Sequence, residues 1–222
     1  SQPDQGRKVI VPFLKPKGIR RLDAIVYSHP QEDHIGGFLS VMDEFRVDQI
    51  LTNGRPYTSS LYRRFWEKAH DKKIKSVVTG RGDEIHSFSE TNIRVLYPPK
   101  DAPPAANVNE DSLVIHIQQG ESSLLLTGDI EDKGLEKLLL EETDLRSDVL
   151  KFPHHGGKVG LEGTQLIQAC QPKWVLMSLG AKNPFGHPHP SALSAVKDLP
   201  EGHLLRTDHE GAIQFESDGK RI

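Results

Sequence analysis

Three times in this 222-residue chain an apolar, strand-like run breaks off into histidine or aspartate. Residues 22–27, rich in β-branched and aromatic side chains, lead to His29, Asp33 and His34. Residues 123–127 lead to Gly128 and Asp129, and residues 149–152 to Pro153, His154 and His155. A short apolar run followed at once by polar donors reads as a buried strand handing its last residues to a loop. Such loops, fixed by a rigid scaffold, are where binding and catalytic side chains belong. A chain that repeats this device must fold into sheets whose strand ends gather, with helices between the strands.

The rest of the pattern agrees. Ile35, Phe38, Leu39, Met42 and Phe45 recur at helical spacing, as do Leu61, Tyr62, Phe65, Trp66 and Ala69 within residues 59–70. Residues 9–14 form a short apolar run stopped by Pro16 and Gly18. Short strands are expected at residues 50–52, 74–78, 83–88 and 93–97, and a loop over 101–109. Residues 112–118 and 123–127 flank Gln119-Gly120-Glu121, a β-hairpin signal. Helices are expected at 135–140, 161–169 and 191–199, the last capped by Ser191, and strands at 174–178, 204–207 and 212–215. Strands and helices alternate throughout, so the class is mixed α and β in layers, and the length suits a single domain over 1–222.

Composition narrows the function. The formal charge of −3 is unlike that of a strongly basic duplex-DNA binder, so any nucleic-acid contact must come from a local patch. The single cysteine, Cys170, excludes an internal disulfide. No apolar run approaches the roughly 20 residues of a membrane-spanning helix, and no signal-peptide pattern opens the chain. Of eleven histidines, seven sit in or beside loops after strand-like runs: His29, His34, His154, His155, His187, His189 and His209.

The first motif runs Ser28-His29-Pro30-Gln31-Glu32-Asp33-His34-Ile35-Gly36-Gly37. Imidazole and carboxylate together suit zinc or manganese, and paired glycines let backbone or ligand come close. The second, Thr127-Gly128-Asp129, ends a strand in a carboxylate able to bridge two cations. In the third, Lys151 to Gly157, two adjacent histidines can hardly both bind one metal, so one ligand and one supporting or proton-transferring group is expected. Asn107 to Ser112 stands at the mouth of the hairpin, and Asn183 to Pro190 forms a proline-rich loop.

The order His-x-x-x-Asp-His-x-Gly-Gly, Asn-x-x-Ser, Gly-Asp, His-His-Gly resembles the metallo-β-lactamase superfamily. In detail it is similar to one branch, the hydrolase-like domain at the C-terminal end of ComEC-type competence DNA-uptake proteins. The motifs that carry this run from Ser28 to Gly211. The resemblance implies an αββα sandwich, two mixed sheets flanked by helices. Residues 1–6 read as the end of a glycine-turn region, so the first strands are expected to be missing and the chain to be a piece of a larger membrane protein. It implies metal ligands at His29, Asp33, His34, Asp129 and His154, with Gln31 at a position where relatives carry a ligand. One tight and one weak divalent cation, Mn2+ or Zn2+, are therefore expected.

The implied reaction is hydrolysis of a phosphodiester, with Asp33 essential. His155 or His187 would protonate the leaving oxygen, and Lys151 or Ser112 would steady the phosphoryl charge. Asn109, Ser112, Lys151, Asn183 and His187 would contact substrate. The implied substrate is incoming DNA, one strand being degraded, with single-stranded DNA and the transmembrane remainder of the same protein as partners. The domain is expected to be monomeric and extracytoplasmic on a bacterial membrane. Other phosphoester or thioester hydrolysis remains open, as does a non-catalytic DNA-binding domain with a depleted site. Arg63, Arg64, Lys68, Lys72, Lys73 and Lys75, interleaved with Tyr62, Phe65 and Trp66, read either as a phosphate and base surface or as the solvated face of an amphipathic helix. Lys15, Lys17, Arg20 and Arg21 form a second basic group.

Overall fold

A β-rich run becomes a strand only where a neighbour supplies the other half of its hydrogen bonds, and this chain sorts its strands accordingly. The computed structural model describes residues 4–86, 90–142 and 144–222. Two compact units divide it, Ser1–Thr79 and Gly80–Ile222.

In the first unit, strands β1 (Arg21–Leu22) and β3 (Arg46–Val47) form a parallel pair, and β2 (Ile25–Val26), β4 (Gln49–Thr52) and β5 (Lys75–Val78) a parallel sheet in the order β2-β4-β5. The single strand expected over 22–27 is thus broken in two, each piece pairing with a different neighbour. Parallel strands need helical crossovers. Here they include α2 (Glu32–Ile35), α3 (Phe38–Glu44) and α4 (Ser60–Asp71); α1 (Val11–Leu14) continues a π-helical turn, Gly6–Ile10. The Ser59 side chain accepts from the Tyr62 amide and caps α4, a contribution of about 1 kcal/mol. Phe65 and Ala69 of α4 pack with Ile35, Val41, Met42 and Ile50 in the core. The pair Gly36-Gly37 has its explanation here: a Cβ on Gly6 would lie 1.9 Å from the Gly37 carbonyl, so two backbones meet where no side chain fits.

The second unit is one seven-stranded sheet, in the order β12-β11-β10-β9-β8-β7-β6. Its strands are β6 (Glu84–His86), β7 (Thr91–Tyr97), β8 (Val114–Gln119), β9 (Ser122–Leu126), β10 (Val149–Lys151), β11 (Trp174–Met177) and β12 (Leu204–Arg206). Of the strand expected at 83–88, residues 87 and 88 lie outside the described residues, as do residues 1–3 of the expected glycine turn. The hairpin stands as read: β8 and β9 pair antiparallel from Gln119↔Ser122, and Gly120 takes the positive φ of +58° that the tight loop demands.

From β9 to β12 the pairing is parallel. Parallel strands end on the same edge of a sheet, so Asp129 after β9, His154 and His155 after β10 and Ser178 after β11 leave from one edge. Helices α5 (Asp132–Glu141) and α6 (Leu161–Cys170) follow β9 and β10, burying Leu135, Leu138 and Leu166 with Leu125, Leu150 and Phe152. Burial pushes the Cys170 thiol up to about 12, so this cysteine packs and does not react.

Two expectations near the C-terminus are corrected. Helix α7 covers only Pro190–Ala195, and its cap is His189, whose Nδ1 accepts from the Ser191 amide at 3.1 Å. Pro190 at the first helical position moves the start one residue upstream. Residues 212–215 form no strand: after the helical turn at α8 (Thr207–Glu210) they join no ladder among the described residues, and β12 stays the edge of its sheet.

Candidate metal centre and its supporting loops

Each unit carries one set of donors. In the first, Ser28 controls the protons. Its Oγ lies 3.1 Å from Nδ1 of His29 and 3.2 Å from Nδ1 of His34, the two rings tilted against one another with centroids 4.1 Å apart. A hydroxyl has one proton, so it donates to one ring and accepts from the other. The carboxamide Oε1 of Gln31, which only accepts, is 3.2 Å from Nε2 of His29. For neutral rings one assignment satisfies all three contacts. His29 holds its proton on Nε2 and donates it to Gln31, and takes the Ser28 hydroxyl proton at Nδ1. His34 donates from Nδ1 to Ser28, which leaves its lone pair on Nε2, 3.6 Å from Asp33 Oδ2. Asp33 and His34 stand on α2, whose first turn begins after the extended backbone of Gln31. Nε2 of His34 and the Asp33 carboxylate therefore have the chemistry of metal donors. In the corner of His29 and Gln31, by contrast, the amide oxygen engages the imidazole Nε2.

In the second unit the sheet edge delivers Asp129 and the two histidines. Asp129 is fully buried, and its amide donates to Ser112 Oγ at 3.1 Å. His155 donates from Nδ1 to the Ser178 carbonyl at 2.6 Å, so the neutral ring has its lone pair on Nε2, 3.1 Å from Asp129 Oδ2. A nitrogen lone pair beside a carboxylate oxygen is stable only with a proton or a cation to share, and a backbone carbonyl on the far nitrogen is how ligating histidines are oriented. The residues thus fit a divalent cation. His154 faces elsewhere: its Nδ1 is 3.2 Å from Glu131 Oε1, and its ring meets His187 edge-on at 5.5 Å. Within this unit Asp129 is partnered by His155, not by the His154 the resemblance implies.

This arrangement strains the backbone. His154 and His155 take φ of +48° and +56°, a left-handed conformation rare for residues with a Cβ, and Gly156 follows at +79°. Two such residues cost on the order of 1–3 kcal/mol each. The loop is held by bonds from the His154 amide to the Gly128 carbonyl and from the Gly157 amide to the His154 carbonyl.

Other expected site residues act as braces. Lys151 Nζ donates to the Gly128 carbonyl at 2.8 Å and lies 3.5 Å from Asp129 Oδ1. Ser112 is completely buried, so it positions Asp129 and does not face substrate. Asn183, expected to bind substrate, instead ties its own loop: its amide donates to the carbonyls of Gly180 and His187, and its Oδ1 accepts from the His187 amide. Both ends of its carboxamide are used by backbone. Asn109 donates to Glu131, while its buried Oδ1 has no hydrogen-bond partner among the described residues. His187 is held below the usual imidazole value, first by burial and then by neighbouring His154 and His155. That direction suits a proton acceptor at neutral pH better than a donor.

Sequence reasoning missed Glu131 as a functional position. Its carboxylate gathers the side-chain amides of Asn107 and Asn109 at 2.8 Å each and faces His154. The available signal was an acid two residues beyond the strand-end Asp129. Ser28 was read as part of a motif, with no role, although a hydroxyl before a histidine is a ready partner for its ring.

The Metallo-beta-lactamase superfamily description matches residues 1–161. The chain belongs to that superfamily. It is 33% identical over 95% of its length to ComE operon protein 3 of Bacillus subtilis, and 31% identical over 93% to Competence protein ComA of Neisseria gonorrhoeae. It spans about a quarter of these relatives, 26% and 27% of their lengths. Among solved structures, the CmlA beta-hydroxylase E377D mutant shares the fold with a TM-score of 0.52 at 15% identity, over 84% of this chain and 43% of that one. Among the described residues no helix is long and apolar enough to cross a membrane.

Proposed function

We propose that this chain is a metal-dependent phosphodiesterase domain of a ComEC-like uptake protein, degrading one strand of incoming DNA. The observation that carries the reading is the pairing of His155 Nε2 with the Asp129 carboxylate at the C-terminal ends of the parallel strands β9 and β10. The proposed cation donors are Asp33 and His34 in the first unit, and Asp129 and His155 in the second, with the contact of His29 and Gln31 leaving a second cation weak. A divalent cation such as Mn2+ or Zn2+, when bound, supplies Lewis acidity and a water acidic enough to act near neutral pH. The chain's own residues do the rest. Ser28 fixes the tautomer of His34, Ser178 that of His155, Ser112 holds the Asp129 backbone, and Lys151 steadies negative charge beside Asp129. The name of one relative, Competence protein ComA, is in keeping with the proposed DNA substrate. The greater length of the relatives supports a larger parent protein; the proposal takes its remainder to be transmembrane and this domain to be monomeric and extracytoplasmic.

The test is hydrolysis of single-stranded DNA, duplex DNA, small phosphodiesters and thioesters with manganese or zinc. Single-stranded DNA is expected to be cut, the activity being abolished by chelation and by Asp33→Ala. An Asp33→Ala rate equal to wild type would overturn the assignment. The engagement of His29 by Gln31 favours one second reading, a DNA-binding domain that no longer turns over; metal-dependent binding without cleavage would select it.

A further inference from the structure

Helix α4 carries aromatic rings that the core covers only in part: Tyr62 and Trp66 pack against it with one side each. Phe65 and Ala69 fill the core-facing stripe, and both are buried. Tyr62 and Trp66, one turn apart beside that stripe, remain only half-buried. With Tyr57 from the preceding loop they build a wall of edge-to-face rings: Tyr57 to Tyr62 at 6.2 Å and 82°, Tyr62 to Trp66 at 6.2 Å and 78°. The Tyr62 hydroxyl donates to the Arg55 carbonyl at 3.4 Å, which holds that ring in place. The wall borders an open hollow of about 330 Å³, lined by Tyr57, Thr58, Ser59, Tyr62, Arg63 and Trp66, with the carboxylate of Glu67 at its rim beside the arginine. That is at the low end of small-ligand pockets, roughly 300–1,000 Å³, and suits one flat ring.

Charge identifies what the ring belongs to. Arg63 and Arg64 are exposed, and neither forms an ion pair among the described residues. Lys68, by contrast, is paired with Asp43 at 2.5 Å. A second hollow of about 350 Å³ along the same helix is lined by Arg64, Lys68 and Lys72, with Glu67 and Asp71 opposing them. Aromatic faces beside unneutralised guanidinium groups bind bases by stacking and the backbone by charge. A neutral sugar or an apolar peptide would make no use of the two arginines. The helix also packs against the donor-bearing segment of the same unit: a methyl on Gly36, just after α2, would touch Leu61 at 3.5 Å.

We propose that the hollow formed by Tyr57, Tyr62 and Trp66 is a stacking site for an unpaired nucleobase of a single strand, with Arg63 and Arg64 on the neighbouring phosphates. This deepens the proposed function and rests on its reading of nucleic acid as substrate. The same face was legible in the sequence as a solvated amphipathic surface; the half-buried ring wall and the hollow favour the binding alternative.

The experiment is fluorescence anisotropy of the whole chain, in EDTA, with a fluorescein-labelled oligothymidylate and an abasic oligonucleotide of equal length. Tyr57→Ala is expected to weaken oligothymidylate binding on the order of tenfold while leaving abasic binding unchanged, and Tyr57→Phe to restore it. Arg63→Ala is expected to weaken both. Thermal melting checks that each variant folds. The proposal is overturned if Tyr57→Ala binds oligothymidylate like wild type, if it weakens both oligonucleotides equally, or if wild type binds neither. A wild type that cleaves no DNA but loses oligothymidylate binding alone on Tyr57→Ala supports the stacking site and sinks only the nuclease reading.

Discussion

The two donor loops hold their imidazoles by opposite means. In the loop of the first unit the orienting group is a side chain, Ser28, placed between two rings, and the backbone around Asp33 and His34 is an ordinary extended-to-helical start. In the loop of the second unit the orienting group is a backbone carbonyl, that of Ser178, and the ring reaches it through left-handed backbone at His154 and His155. The first arrangement is cheap and rests on residue identity. The second costs conformational energy that the sheet edge must offset. What the comparison teaches is that adjacent histidines can be given different tasks by backbone alone: the unusual φ values turn His155 to Asp129 and His154 to Glu131.

That comparison can be broken at its strongest point by separating the two histidines. His155→Ala is expected to weaken divalent-cation affinity on the order of a hundredfold, and His154→Ala by no more than about tenfold, as for a residue supporting ligands. Calorimetric titration with Zn2+ of the two variants measures both. Equal losses, or the reverse order, would mean that the backbone does not divide the pair as described.

A smaller effect sharpens the claim of strain. Gly156→Ala adds a Cβ 2.9 Å from Met177 Sδ at a φ of +79° and is expected to destabilise by about 1–3 kcal/mol. Gly186→Ala is the control, because it has a similar φ of +70° but nothing within 4 Å. It should cost about 1 kcal/mol. Denaturant unfolding that finds the two equal would show that the close packing under His-His-Gly contributes nothing.

Much of this was legible in the sequence, and for definite reasons. Residues 28–37 advertise their role because ligand chemistry there resides in side chains at fixed spacing on a strand-to-helix turn. The hairpin at Gly120 was legible because only a few residues accept its φ. The division of labour between His154 and His155 was not, since it depends on dihedral angles that two identical residue names cannot reveal. Asn183 misled for a related reason: a polar residue in a histidine-rich loop looks like a binding group until its partners prove to be its own backbone. The strand expected at 212–215 failed because alternation marks a face that can be buried, while a strand also requires ladder hydrogen bonds, which these residues do not make.

The central claim is that this chain retains one divalent cation firmly and a second only weakly, because the Gln31 amide engages His29. Metal content per chain, measured by elemental mass spectrometry after dialysis against metal-free buffer, tests it most directly. The account predicts one equivalent of zinc or manganese in the wild type. Two tightly retained equivalents, or none, would contradict it.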